Sequence, residues 1–452
     1  MSKGHSILSY VLLILFTCLG LDRVSAEVVE LNGKVVLLSG SGMPATVILH
    51  SYADESYMAT SNIDKDGNFS FKVDIARAGL YNIRLLRISE DIMLSAAEKN
   101  SMVTIVLDKD IMKSIETGKS PENEAYKKLK ALILNYDPKL RMAFMYCDKQ
   151  DSCEKELHKL LTDFAREILS IQQSYKGTYT ADVLCRMRMP IVSKNIRNTS
   201  DEFRKGFFEN VNFADSTIFY TPVYMDMIVT YIDFLVEPSI SKEEQFIRYF
   251  IDKTKANPVV FHKSASLLFD DLFKRSREKM LAMYIAWYNE GDNKKLVNNP
   301  VMDVKIKNIS RVMPGQPFTD AVCPDSGGVM RSLKDVVSKS KCTLLLFWSS
   351  DCYHCRDEMP FIKQYYEKYH AKGFDVYAVS LENDIEKWKH YIIEKGLSWT
   401  NVLNGRNMDP NPAIQYVSVS TPTLILIDGK GTILHRFIPK TKLEDHIVEA
   451  LK

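Results

Sequence analysis

A chain of 452 residues carries 59 Lys and Arg against 57 Asp and Glu, a formal net charge of +2. That balance excludes the broad basic field with which proteins hold nucleic acid by counterion release, so nucleic acid is not an expected partner. With 46% hydrophobic and 26% charged residues, 19 Gly and 16 Pro, the composition is that of a globular protein of about three domains, neither disordered nor collagen-like.

The chain opens Met1-Ser-Lys3-Gly-His5, continues as an apolar run from Ile7 to Leu21 interrupted by Ser9, Thr17 and Gly20, and leaves it through Val24-Ser25-Ala26. A positive start, a short apolar centre and a small-residue exit predict a signal peptide over 1–26 with cleavage after Ala26, which makes the mature protein periplasmic or secreted. Two alternatives stand beside it. A lipoprotein could be anchored at Cys18, and an uncleaved anchor is conceivable, although the run falls short of the ~20 residues a spanning helix needs. Export permits disulfides, but a chain this long does not need them as a framework. Cys147 and Cys153, six apart in a polar stretch, are either a local disulfide or two free thiols. Cys185 and Cys342 stand among apolar residues and read as buried, inert thiols.

From 27 to 115 the pattern alternates with period two between glycine-marked turns, as in Phe69-Ser-Phe-Lys-Val73 and Met102-Val-Thr-Ile-Val-Leu107. This predicts an antiparallel β-sandwich. Asp64-Lys-Asp66-Gly67-Asn68 reads as a hairpin turn, because the ligand spacing and distal Glu of a calcium loop are missing. From 116 to 300 apolar residues recur every three or four positions, predicting helices that start at Pro121 and run over Cys153–Gln173, Lys242–Lys255 and Ser264–Tyr288. Tyr220, Tyr224, Met227 and Tyr231 fall at helical intervals and are expected in that domain's core.

From 310 to 452 the order changes to a hairpin at Gly327-Gly328, a strand Thr343–Trp348, a helix from Cys352 to about His370, a strand Phe374–Leu381 and a helix near Asp384–Lys395. Two strands, Thr423–Asp428 and Thr432–Phe437, and a last helix follow. Such a succession predicts an α/β domain of the thioredoxin type. The whole is therefore a multidomain chain with a β-sandwich, a central all-α region and a C-terminal α/β thioredoxin-like fold.

The chemistry concentrates at Cys352-Tyr353-His354-Cys355, where a strand passes into a helix. Thiols two residues apart at a helix N-terminus can close a small disulfide, and the helix end favours the thiolate of the first. Cys352 is then the nucleophile, Cys355 resolves the mixed disulfide, and His354 is expected to lower the pKa of Cys352. A Cys-x-x-Cys is also half of some zinc sites. No second one exists, and the nearest other histidines, His370 and His390, fall on predicted helices away from it, so neither a metal nor a cofactor is expected there.

Phe347-Trp348-Ser-Ser-Asp351-Cys352-Tyr-His-Cys355-Arg-Asp-Glu358-Met-Pro360, taken with Ser420-Thr421-Pro422-Thr423-Leu-Ile-Leu-Ile-Asp428-Gly429, resembles the TlpA/ResA branch of thioredoxin-like thiol-disulfide oxidoreductases. The resemblance covers the last third of the chain. It implies a redox disulfide between Cys352 and Cys355, a cis-proline at Pro422 facing the sulfurs, substrate contacts at Thr421, Pro422 and Trp348, and a kink at Pro360. It further implies thiol- or disulfide-containing protein substrates and a membrane-bound electron donor. The front of the chain, through Gly118-Lys-Ser-Pro-Glu-Asn-Glu-Ala-Tyr126 and Phe207–Asp215, is similar to exported Bacteroidetes proteins that join β-rich and helical domains of unknown function to a redox domain.

Two positions depart from the family. Leu346 stands where thioredoxin keeps a buried Asp, which leaves the acid/base partner unidentified, and Asp351 stands where an aromatic residue is usual. The charge of Asp351 opposes the effect of His354 on Cys352. Glu358 is either a proton relay or an exposed helix position. A rival reading makes the chain a peptide-, glycan- or protein-binding module with a retained thioredoxin scaffold. A peroxidase is disfavoured, since the Pro and Thr ahead of a single peroxidatic Cys are absent around Cys352.

Overall fold

The computed structural model describes residues 27–39, 42–52, 58–75, 78–86, 88–108, 111–146, 151–192, 199–237, 239–404, 410–418, 420–436 and 438–452. The signal segment 1–26, Cys18 and Cys147 therefore lie outside the described residues. The chain forms two compact units, 1–237 with 253–260, and 238–252 with 261–452.

In the first unit, strands β1 (Glu27–Ser39), β2 (Thr46–Ser51), β3 (Met58–Asn62), β4 (Asn68–Ile75), β5 (Gly79–Leu85), β6 (Ile88–Leu94), β7 (Asn100–Asp108) and β8 (Ile111–Glu116) form two sheets. Their orders are β4-β1-β7-β8 and β3-β2-β5-β6. Alternate residues of both sheets, among them Leu31, Val35, Leu49, Phe71, Ile83 and Ile105, meet in one core. This is the face-to-face packing that period-two sequences favour. One strand pair departs from the expected antiparallel arrangement: β1 runs parallel to β7, from Glu30 opposite Asn100 to Leu37 opposite Leu107. The Asp64–Asn68 turn joins β3 of one sheet to β4 of the other and is not a hairpin. Asp64 Oδ1 accepts from the backbone N–H groups of Asp66 and Asn68 at 2.9 and 2.8 Å, which occupies the carboxylate within the turn.

Helices α1 (Pro121–Tyr146), α2 (Asp151–Ser174) and α3 (Val223–Phe234) follow. Tyr224 and Met227 are buried, whereas Tyr220 and Tyr231 are only partly so. Cys185 is buried and free, and burial pushes its thiol up to about 12. Cys153 is disulfide-bonded.

The second unit holds α4 (Pro258–Lys274) from Phe261 onward and α5 (Glu278–Asn289). The single helix expected over Ser264–Tyr288 is thus two. The chain breaks at Ser276, which takes φ +57°, and Arg277 N–H closes the end of α4 by donating to Leu272 O. A short hairpin of β9 (Val322–Pro324) and β10 (Met330–Ser332) leads through α6 (Leu333–Val337) into a five-stranded sheet of order β13-β12-β11-β14-β15. Its strands are β11 (Cys342–Trp348), β12 (Phe374–Ser380), β13 (Thr400–Leu403), β14 (Thr423–Asp428) and β15 (Ile433–Arg436). Central β11 pairs parallel with β12 and antiparallel with β14. All seven of its residues are buried, as a strand covered on both faces requires. Leu344, Leu346 and Trp348 enter one core with α7 (Tyr353–Tyr369), α8 (Ile385–Lys395) and α9 (Lys440–Ala450), while Leu345 and Phe347 enter another with α6. Strand β13 escaped the sequence reading.

Candidate active site

β11 delivers the chain to the C-terminal edge of the sheet, where a three-residue loop, Ser349–Asp351, turns it into α7. Cys352 caps that helix with φ −74° and ψ 118°, and its sulfur accepts the backbone N–H of Cys355 at 3.2 Å. A cap sulfur in this position faces the unpaired amide groups of the first turn, where negative charge is favoured. The Cys352 thiol donates to the backbone carbonyl of Thr421 at 3.3 Å, and Thr421-Pro422 is a cis peptide. The two motifs separated by 69 residues in the chain thus meet at one sulfur.

The two thiols differ in environment. Cys352 is partly accessible, whereas Cys355 is 2% exposed. Desolvation pushes Cys352 up, but hydrogen bonds from the Cys355 thiol, from Thr421 and from the backbone N–H groups of Cys355 and His354 outweigh it, and its pKa falls below the ordinary thiol value. Burial, reinforced by the neighbouring Cys352 sulfur, pushes Cys355 up to about 12. The two sulfurs, expected as a redox pair, are not joined in this structure.

His354 acts on Cys352 through its backbone N–H. Its ring is exposed and lies edge-on to Tyr353, at 5.6 Å between centroids. The charge of Asp351 is paired with Lys387, which holds its carboxyl below the usual range. Trp348 is not available to a substrate, contrary to expectation: it is 0% exposed and packs against Tyr391 at 5.4 Å. Its place at the end of a strand covered on both faces sends it into the core. Glu358 is half-buried, not exposed; Oε2 is shielded with no hydrogen-bond partner among the described residues, and desolvation raises its pKa. Pro360 lies inside α7.

The sequence reading missed Glu382, which follows β12. This 6% exposed carboxylate accepts Ser350 N–H at 2.7 Å, Ser350 Oγ–H at 3.0 Å and Ser349 Oγ–H at 3.2 Å. Arg356 Nη1 donates to Ser350 O at 3.2 Å from the other side. The loop ahead of the nucleophile is therefore held by one acid and one base. A carboxylate at the C-terminal end of a parallel strand adjoining β11 was the signal available, since sites in such sheets gather there.

Residues 314–436 match the AhpC/TSA family. The thiol-disulfide oxidoreductase ResA of Bacillus thuringiensis (strain Al Hakam) is 28% identical over 137 residues, 29% of this chain and 76% of that protein. Among solved structures, the thioredoxin domain of a thiol-disulfide oxidoreductase from Bacteroides vulgatus is 29% identical, with 31% of this chain and 98% of that one covered and a TM-score of 0.29. A domain of a possible thiol-disulfide isomerase from Cytophaga hutchinsonii is 33% identical, with 30% and 92% covered and a TM-score of 0.28.

Proposed function

We propose, from the premise that this chain belongs to the ResA/TlpA-like thiol-disulfide oxidoreductases, that Cys352 and Cys355 exchange electrons with thiols or disulfides of exported proteins. The observation that carries it is the split between the two sulfurs, an accessible one with lowered pKa at a helix cap and a buried one with raised pKa one turn on. In the reducing direction the Cys352 thiolate attacks one sulfur of a substrate disulfide and expels the other as a thiolate, forming a mixed disulfide. Cys355, once deprotonated, attacks the Cys352 sulfur and releases the second substrate thiolate. The substrate gains two electrons and two protons, and the domain keeps the Cys352–Cys355 disulfide. Thr421 O, already a partner of the nucleophilic sulfur, belongs to the cis Thr421-Pro422 pair ahead of β14, against which a substrate backbone can lie. In the oxidising direction a substrate thiolate attacks the Cys352 sulfur of the domain disulfide and expels Cys355. A second substrate thiolate then attacks the substrate sulfur of the mixed disulfide and expels Cys352, whose stabilised thiolate makes it a good leaving group.

Cleavage after Ala26 would place this chemistry in the periplasm or outside the cell, with electrons drawn from a membrane-bound donor. The test is disulfide reduction with a chemical donor, paired with trapping: Cys355→Ser accumulates covalent complexes with periplasmic proteins, and Cys352→Ser neither reduces nor traps. Full turnover by Cys352→Ser, or an empty trap, would leave the binding-module reading in its place. Equilibration with glutathione buffers then fixes the direction, a couple near about −270 mV marking a reductant and one near about −120 mV an oxidant.

A further inference from the structure

A second cluster of chemistry-bearing side chains lies at the other end of the redox domain's sequence, where edge strand β15 packs beside the terminal helix α9. His435 is on the strand, and His446 and Glu449 are three residues apart on the helix, so both project from one helical face. The rings of His435 and His446 are 3.8 Å apart between centroids with planes 31° from parallel. One ligand atom from each of His435, His446 and Glu449 falls within 4.8 Å of the others. The Nδ1 of His446 is shielded from water and has no hydrogen-bond partner among the described residues. A buried polar nitrogen left unsatisfied is destabilising, and two imidazoles face to face satisfy neither one's ring nitrogens.

We propose that His435, His446 and Glu449 bind a divalent transition-metal ion of the zinc class, which joins β15 to α9. Two imidazole nitrogens and one carboxylate oxygen suit zinc and its neighbours, whereas calcium and magnesium take all-oxygen sets. Three protein ligands leave a fourth tetrahedral position for water. Ligand atoms ~2.0–2.1 Å from a tetrahedral centre lie roughly 3.3 Å apart, so atoms up to 4.8 Å apart close by up to about 1.5 Å on binding. Glu449 is exposed and both histidines are partly so, which leaves their side chains room to turn. An ion there would satisfy the buried His446 nitrogen. The site shares no residue with the cysteine pair and is independent of the redox reading.

The experiment uses the full mature chain with Cys352 and Cys355 oxidised to the disulfide, so that neither active-site sulfur can ligate. Zn2+ is titrated by calorimetry, and Co2+ is titrated in parallel as an absorbance probe. One equivalent is expected to bind saturably, with a raised melting temperature for the second unit, which holds β15 and α9. Loss of groups that merely orient a ligand weakens metal sites by about 10–100-fold, so His435→Gln and His446→Gln are each expected to weaken binding by about tenfold or more, and Glu449→Gln by less. Should His446→Gln fail to fold, Glu449→Gln, at an exposed position, supplies the same comparison. Absence of saturable binding in the parent, or equal binding in every variant that folds, would overturn the site.

Discussion

At the scale of single residues, the separation of Cys352 from Cys355 is the property that a pH titration can read. Hydrogen bonds to the Cys352 sulfur favour its thiolate, while burial keeps Cys355 protonated. Alkylation of the reduced protein is therefore expected to show a single step below the ordinary thiol value of 9.0, confined to Cys352 by mass spectrometry, with Cys355 unreactive until about pH 12. Two cysteines titrating together near 9 would contradict the assignment. Glu382→Ala strips three hydrogen bonds from the Ser349–Ser350 loop and leaves Ser350 N–H inside without an acceptor, a loss of about 1–3 kcal/mol measurable by urea unfolding. The same variant should shift the Cys352 alkylation step, because the loop that sets the sulfur against Thr421 O is freed. The cysteines were legible in the sequence because their spacing is itself the chemistry, and Thr421-Pro422 through the resemblance of the motif around it. Trp348 and Glu382 were not: a tryptophan next to a motif looks the same whether it faces substrate or core, and Glu382 is distant in the chain from the loop it holds.

At the scale of elements, apolar period and turn chemistry revealed the strands and helices that have strong patterns, and missed those decided by neighbours. β13 is four residues long, and only its pairing with β12 makes it a strand. The break between α4 and α5 has no glycine or proline to announce it. The turn at Gly67 is the opposite case. Its φ is +86°, and a Cβ there would stand 2.3 Å from Val35 O, so Gly67→Ala combines backbone strain with a clash against a carbonyl that cannot rotate away. A loss of at least ~1–3 kcal/mol in the sandwich is expected by urea unfolding, with the redox domain's activity unchanged. At the start of α5, burial raises Glu278 to about 7, opposed by the charge of Arg436 at the end of β15. Below its unfolded value of 4.5 the carboxyl is neutral in both states and the contribution is complete. As pH rises from there through 7 the unfolded chain gives up the proton first, and stability falls by up to about 3 kcal/mol. The unfolding midpoint of this unit should therefore drop between pH 5 and pH 8, and Glu278→Gln should flatten that slope.

At the scale of the whole molecule, the C-terminal fold was readable because the strands of a mixed sheet alternate with helices in sequence order. The sandwich was readable as a sandwich but not in its strand order, since period two does not encode which strands become neighbours or which run parallel. No helix among the described residues is long and apolar enough to cross a membrane, and the export reading rests on residues 1–26. Intact-mass measurement of the protein recovered from the producing cell is expected to give a chain beginning at Glu27; acylation at Cys18 would replace that outcome. The position of β1 carries a consequence for biogenesis. To become an inner strand it needs two partners that both follow it in the chain: β4, opposite Ile75 to Asn68, and β7, from Asn100 onward. The sandwich consequently cannot assemble in the order in which it is delivered. β1 must wait, extended and apolar on one face, until β7 has followed it in synthesis, which makes the early chain a natural client for holding factors.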